Sequence, residues 1–281
     1  MDNSQSCKRG GRRQVRGAPD RAHSLDEATK LPAPRPGRGR CRVHVYPQCG
    51  EAVVVGSTSR RAPSGGQVGK RGEASDPERS KREAVRRART IVRRYCSSNR
   101  LRYMWTLTYR GDGEHDLAVV RRHVERLLSK VRRDLGQSFP YLWVPELHKT
   151  GHGIHVHMAV PVWFSQKKLG ALWGRGFVWC SDMKPKGACS FAGSQVAARY
   201  LGKYIGKAFE VAEFGRHRYE RAQGYEIVCE RTIRYDMDDG RDYAELRFGC
   251  LPVFEWSSEG DETWRGPPVL VLFFAGLAPD G

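Results

Sequence analysis

Two histidines, one carboxylate and two tyrosines have the types and spacing to do chemistry. His155-Val156-His157 sets two imidazoles at i and i+2. On a strand both point to one face, and Val156 points to the other. Glu146 lies nine residues before His155, across the stretch Thr150-Gly151-His152-Gly153. A hairpin turning there brings Glu146 opposite the histidine pair. Two imidazoles and a carboxylate on one face, with open positions left over, make a divalent-ion site. Mixed nitrogen and oxygen donors suit Mg²⁺ or Mn²⁺ in phosphate chemistry and also accept Zn²⁺. His148 shares the alternation phase of Glu146 and is a fallback ligand, whereas His152, in the turn, reads as solvated. Taken alone, the histidine triplet also fits a half-exposed strand without a metal.

The tyrosines lie downstream, in Ala197-Ala198-Arg199-Tyr200-Leu201-Gly202-Lys203-Tyr204-Ile205-Gly206-Lys207. On a helix Tyr200 and Tyr204 are i and i+4 and share one face. Lys203 and Lys207 each follow a tyrosine by three residues and flank that face. A free phenol has a pKa of ~10, so only about one in a thousand is ionised at pH 7. A neighbouring ammonium and a metal-polarised phosphate offset much of that ~4 kcal/mol deficit. Gly202 and Gly206 each cost ~1 kcal/mol of helix propensity, and they permit close approach of a backbone or a DNA strand. The plainer alternative is a basic surface helix carrying two amphipathic aromatics.

Several elements must position these groups. Ser75-Asp76-Pro77-Glu78 starts a helix that Asn99 ends, with Ala84, Val85, Ala88, Val92 and Tyr95 at helical spacing. Residues 103–109, Tyr-Met-Trp-Thr-Leu-Thr-Tyr, read as a strand, and 116–135 as an amphipathic helix closed by Gly136. The hairpin 141–149/154–161 follows, then a short helix over 165–173, a strand over 176–183 and the tyrosine helix over 194–209. Residues 225–235, 242–248 and 269–274 also read as strands. The order implies an α+β fold, an antiparallel sheet with helices packed on it. The expected organisation is a disordered basic tail over 1–74, a catalytic domain over 75–235 and a β-rich extension over 236–281.

Composition bounds the partner. Lys plus Arg is 49 against 31 for Asp plus Glu, a net charge of +18 over 281 residues. Such a charge calls for a polyanion, nucleic acid before an anionic membrane. The longest apolar run, 269–275, falls far short of the ~20 residues of a spanning helix, and the polar N-terminus is no secretory signal. The eight cysteines form no Cys-x-x-Cys pair, as expected of reduced thiols in a cytoplasmic protein, although Cys41, His44 and Cys49 could form part of a zinc site. The first 74 residues are rich in Arg, Gly, Pro and Ser, the composition of a chain too polar to order itself. Gly69-Lys70 lacks the glycine and hydroxyl residue of a phosphate loop, which excludes a built-in helicase motor.

Together, Trp105-Thr106-Leu107-Thr108-Tyr109, then Glu146 with His155-Val156-His157, then Tyr200-Leu201-Gly202-Lys203-Tyr204-Ile205-Gly206-Lys207 resemble the three ordered motifs of the HUH endonucleases, the rolling-circle replication initiators of phages and plasmids. Arg218-Tyr219 and Gly224-Tyr225 also resemble the segment that trails the tyrosine helix in phage-type initiators. The resemblance covers 102–209 and implies a ferredoxin-like or RRM-like sheet. It implies a metal held by Glu146, His155 and His157, with Tyr200 and Tyr204 as the paired nucleophiles of the two-tyrosine type. It implies nicking of single-stranded origin DNA, with a 5′-phosphotyrosine and a free 3′-hydroxyl as products and strand rejoining afterwards. A host helicase and a DNA polymerase are the partners it implies. An HUH transposase or relaxase shares this chemistry. A non-catalytic RRM-like binder, stacking bases on Tyr103, Trp105 and Tyr109, is the alternative of a different class.

Overall fold

The computed structural model describes residues 40–57, 76–186, 190–209, 211, 218–262, 264 and 266–274. In chain order these form β1 (Cys41–Tyr46), β2 (Glu51–Gly56), α1 (Pro77–Ser98), β3 (Tyr103–Leu107), α2 (Leu117–Leu135), β4 (Leu142–Leu147), β5 (Ile154–Val160), α3 (Gln166–Trp173), β6 (Val178–Asp182), α4 (Ser190–Ala208), β7 (Glu220–Arg221), β8 (Glu230–Arg234), α5 (Met237–Phe248), β9 (Pro252–Ser257) and β10 (Val269–Phe274). The class is α+β, with two five-stranded antiparallel sheets among the described residues.

The sheet that carries the candidate chemistry has the order β6-β3-β5-β4-β7. Its central strand, β5, is buried along nearly its whole length, and the register sets Trp105 and Trp143 on either side of Met158. That apolar face holds the two largest fully buried side chains, Trp105 and Trp143. α2 covers it: Arg121 of α2 bonds Glu220 at 2.5 Å, and Glu220 pairs with Trp143 across the β4–β7 edge. α2 is shaped for this by its stripe Val120, Val124, Leu127, Leu128 and Val131, by Asp116 capping its first turn and by Gly136 at φ 68° ending it. α4 lies against β3, β4 and β5 on the other face, and α1 packs on α4. α1 begins where expected, with the Asp76 carboxylate accepting from the Arg79 amide at 2.8 Å.

The aromatic strand is no platform for bases. Trp105 is 0% exposed and Tyr109 is buried, its hydroxyl 3.2 Å from His123 Nδ1. Alternation drives both into the core, where Trp105 packs edge-on against Phe164.

The second sheet, order β8-β1-β2-β10-β9, corrects the organisation read from sequence. Residues 41–56 were expected inside a disordered tail, yet they form its central hairpin. Val43, Val45, Ala52 and Val54 are fully buried beneath α5 and beside Leu272. Averaging composition over 74 residues hid two short β-rich runs joined by the tight turn at Pro47–Cys49. Residues 1–39 and 58–74 of that tail lie outside the described residues. The expected strand over 242–248 is helix α5. Gly240 and Ala244 bury at i and i+4, the Asp236 carboxylate caps the first turn, and Gly249 at φ 66° ends the helix. A Cβ on Gly240 would lie 2.6 Å from Val54 Cγ1, so this helix sits as close to the sheet as a bare backbone allows. The 236–281 extension is therefore not a separate layer, because its strands complete a sheet begun at residue 41.

Glu51 of β2 ties this sheet to α1. It is 1% exposed, with Arg93 at 2.7 Å and Arg94 at 2.8 Å. Burial pushes its carboxyl pKa up, and hydrogen bonds from Arg94 and Arg93 overcome that and hold it low. No helix among the described residues is long and apolar enough to cross a membrane.

Candidate active site

The hairpin β4–β5 turns where expected, and Glu146 pairs directly with His155. His157 sits two pairs further along β5, between Val144 of β4 and Thr106 of β3. Glu146, His155, His157 and Thr106 thus share one face of three adjacent strands. His157 is 4% exposed. Its Nδ1 is 3.3 Å from Thr106 Oγ1, and its Nε2 is 2.8 Å from Glu146 Oε2. Thr106 is a positioning residue that the sequence reading passed over. Its signal was a polar residue opposite His157 in an otherwise apolar strand.

The turn is pinned from outside. Gly113 and Gly153 both adopt positive φ, 84° and 76°. A Cβ on Gly153 would come within 2.5 Å of the Glu114 carbonyl oxygen, so only glycine lets the two loops touch. His152, expected to be solvated, is anchored instead, with Nε2 2.9 Å from the Tyr109 carbonyl. His148 and His155 pack ring to ring at 4.4 Å.

α4 closes the site. The Tyr204 ring stacks on the His157 ring at 3.7 Å and 14°, and its hydroxyl lies 2.8 Å from that of Tyr200. Burial raises the Tyr204 phenol pKa, and the hydrogen bond to Tyr200 and the nearby Glu146 carboxylate raise it further. Tyr204 therefore stays protonated and donates a hydrogen bond to the Tyr200 oxygen. Lys207 Nζ binds Glu146 Oε1 at 2.5 Å and lies 5.1 Å from the centre of the Tyr204 ring. Lys203 Nζ is 5.8 Å from the centre of the Tyr200 ring. The two lysines thus flank the tyrosine rings, and Lys207 commits its charge to the carboxylate.

Electrostatics divide the acidic and imidazole groups. Burial pushes the Glu146 pKa up, but bonds from His157 and Lys207 win and hold it at about 2. Burial, with His148 and His157 beside it, holds His155 down to about 4, so its imidazole is neutral at pH 7. His155 Nε2 is buried and has no hydrogen-bond partner among the described residues. Two imidazoles and an ionised carboxylate are the donor types of a divalent-ion site, and an orphaned ring nitrogen is what such an ion would satisfy. In the arrangement seen here, Glu146 and His157 bind each other, and among the described residues no three His, Cys, Asp or Glu side chains are disposed to hold a metal. The Cys41, His44 and Cys49 zinc reading fails on geometry: β1 alternation turns Cys41 inward, where its thiol donates to the Asp236 carbonyl at 2.8 Å, and His44 to the other face.

Residues 102–209 match the family of the replication-associated protein ORF2. The match supports a rolling-circle replication initiator family. No curated protein and no solved structure matches the chain. The matched replication-associated segment opens at β3 and closes just after α4, so it encloses every residue of the cluster, from Thr106 to Lys207. Tyr219 and β7 lie outside it, β7 extending the sheet along β4.

Proposed function

We propose that this domain nicks single-stranded origin DNA through Tyr200 and later rejoins the strand, as an HUH-type initiator. The observation that carries this reading is the hydroxyl pair. Tyr204, locked on His157, donates a hydrogen bond to Tyr200 within the segment matched to replication-associated proteins. As the Tyr200 oxygen bonds to phosphorus, its proton leaves and the P–O3′ bond breaks. The 3′ oxygen takes up a proton, giving a 5′-phosphotyrosine and a free 3′-hydroxyl. Tyr204 stabilises the negative charge that the Tyr200 oxygen carries as its proton leaves. Thr106 fixes the His157 ring through Nδ1, and that ring fixes Tyr204.

Glu146, His155 and His157 would hold a divalent ion, Mg²⁺ or Mn²⁺. When bound, that ion polarises the scissile phosphate as a Lewis acid. A second cut, needed to complete a rolling-circle round, falls to Tyr204 once Tyr200 is esterified and its hydroxyl no longer accepts.

Incubating the full chain with single-stranded DNA carrying its cognate origin and Mg²⁺ or Mn²⁺ tests the reading. A DNA–protein adduct stable to denaturation, lost in the Tyr200→Phe/Tyr204→Phe double variant and in chelator, is the expected result. Cleavage without a covalent adduct refutes it.

A further inference from the structure

The chemistry above leaves unused a groove of about 820 Å³ between α1 and α4. α1 lines one wall with Lys81, Arg82 and Arg86, and α4 lines the other with Arg199 and Lys203. Among the described residues Glu78 is the single acid along it. None of the five cations makes an ion pair among the described residues. Two further arginines are committed to the fold: Arg93 to Glu51, and Arg89, whose Nε donates to the Gly202 carbonyl at 2.9 Å. Gly206 makes room for that crossing, since a Cβ there would lie 2.7 Å from Arg89 Nη2. The glycines that weaken the tyrosine helix thus form the bare floor of the groove.

On α1, Arg82, Arg86, Arg89 and Arg93 fall at i, i+4, i+7 and i+11, a single stripe. Like charges at such spacing repel and destabilise a helix. A bound polyanion relieves that repulsion. The groove also opens at the site, because Lys203 lines it while flanking the Tyr200 ring.

We propose that this groove carries the phosphodiester backbone of the single strand whose scissile phosphate sits at Tyr200, without reading its bases. The inference rests on the nicking reading above and adds the path of the strand. Phosphate contacts of this kind hold and register a strand while leaving sequence to other groups.

The test compares the full chain with the Arg82→Gln/Arg86→Gln/Arg199→Gln variant. A control removes equal charge from α2, on the opposite face of the sheet, as Arg122→Gln/Arg126→Gln/Arg133→Gln. Dissociation constants for a fluorescent single-stranded oligonucleotide are measured across a salt series. Each lost phosphate contact flattens the slope of log K against log salt by about 0.7. The groove variant should lose about 2 from the slope, the α2 control should keep the wild-type slope, and Arg82→Lys/Arg86→Lys/Arg199→Lys should restore it. Equal flattening by both glutamine variants, or by neither, overturns the proposal. If wild type forms no adduct on any strand while the slopes still differ, the nicking reading falls and the groove stands as a strand-binding site. If adduct forms and the slopes coincide, the groove proposal falls alone.

Discussion

Replacing Tyr204 by Phe removes one hydroxyl and little else. The phenylalanine ring keeps the 3.7 Å stack on His157, so the fold around the site should hold. What is lost is the hydrogen bond to the Tyr200 oxygen, 2.8 Å long in the resting site. A hydrogen bond to a charged group contributes about 1.5–3 kcal/mol net. The Tyr200 oxygen is charged once its proton has left, so most of that amount acts on the proton loss that contributes to the barrier. At 1.36 kcal/mol per decade, the first cleavage should slow by about 10- to 150-fold. Tyr200→Phe should abolish first-cut adduct altogether. The assay is single-turnover adduct formation on an origin oligonucleotide, with melting temperature measured in parallel. Wild-type rates in Tyr204→Phe, at unchanged melting temperature, would refute the reasoning. So would a Tyr200→Phe protein that still forms adduct while Tyr204→Phe forms none, which would exchange the roles of the two phenols. Strand transfer between two origins, which needs both cuts, should suffer in either single variant.

Three other outcomes follow from the geometry. Glu146→Gln removes the negative charge shared by His157 and Lys207 and should abolish metal-dependent cleavage while leaving oligonucleotide affinity nearly intact, because affinity rests on phosphate contacts; a parallel loss of binding in anisotropy titrations would contradict this. Glu51→Gln strands two arginines that are only partly exposed and should cost about 3 kcal/mol at pH 7, read by urea denaturation. The folded-state pKa of Glu51 is held below its unfolded value of ~4.3, so its contribution is present above that pH and fades as pH falls through the folded value; the gap between wild type and variant should narrow in acid. Deleting residues 1–74 removes β1 and β2 from the middle of the second sheet and should cost that sheet's strand signal in circular dichroism, while the tyrosine-bearing sheet still unfolds cooperatively.

The site was largely legible because its logic is local. A period-2 histidine pair, a glycine turn and a carboxylate at hairpin distance determine one another, and Glu146 did land opposite His155. The tyrosine pair was equally readable from its i, i+4 spacing. What the sequence could not show is where long side chains swing once α4 docks. Lys207 was expected to serve a phenol and instead holds Glu146. Asp242 to Phe248 alternates like a strand, and the helix is decided by caps at Asp236 and Gly249 that lie outside that window. The hairpin at 41–56 stayed hidden because its two short β-rich runs sit inside a polar, Arg- and Gly-rich stretch, and its neighbour β10 lies beyond residue 268.

That distance has a consequence for how the protein is made. The sheet that carries the tyrosine site is complete once β7 has been synthesised, since all its strands lie between Tyr103 and Arg221. The other sheet cannot close until β10 emerges, because Val55 pairs with Val269. During synthesis the β1–β2 hairpin must wait with an unpaired edge while the whole of that first sheet is translated and folds. Closing so long a loop is entropically costly and slow, so the second sheet should form last and gate the final folding rate. A ribosome stalled in the stretch between α5 and β10 would then display a finished tyrosine site whose companion sheet is still open.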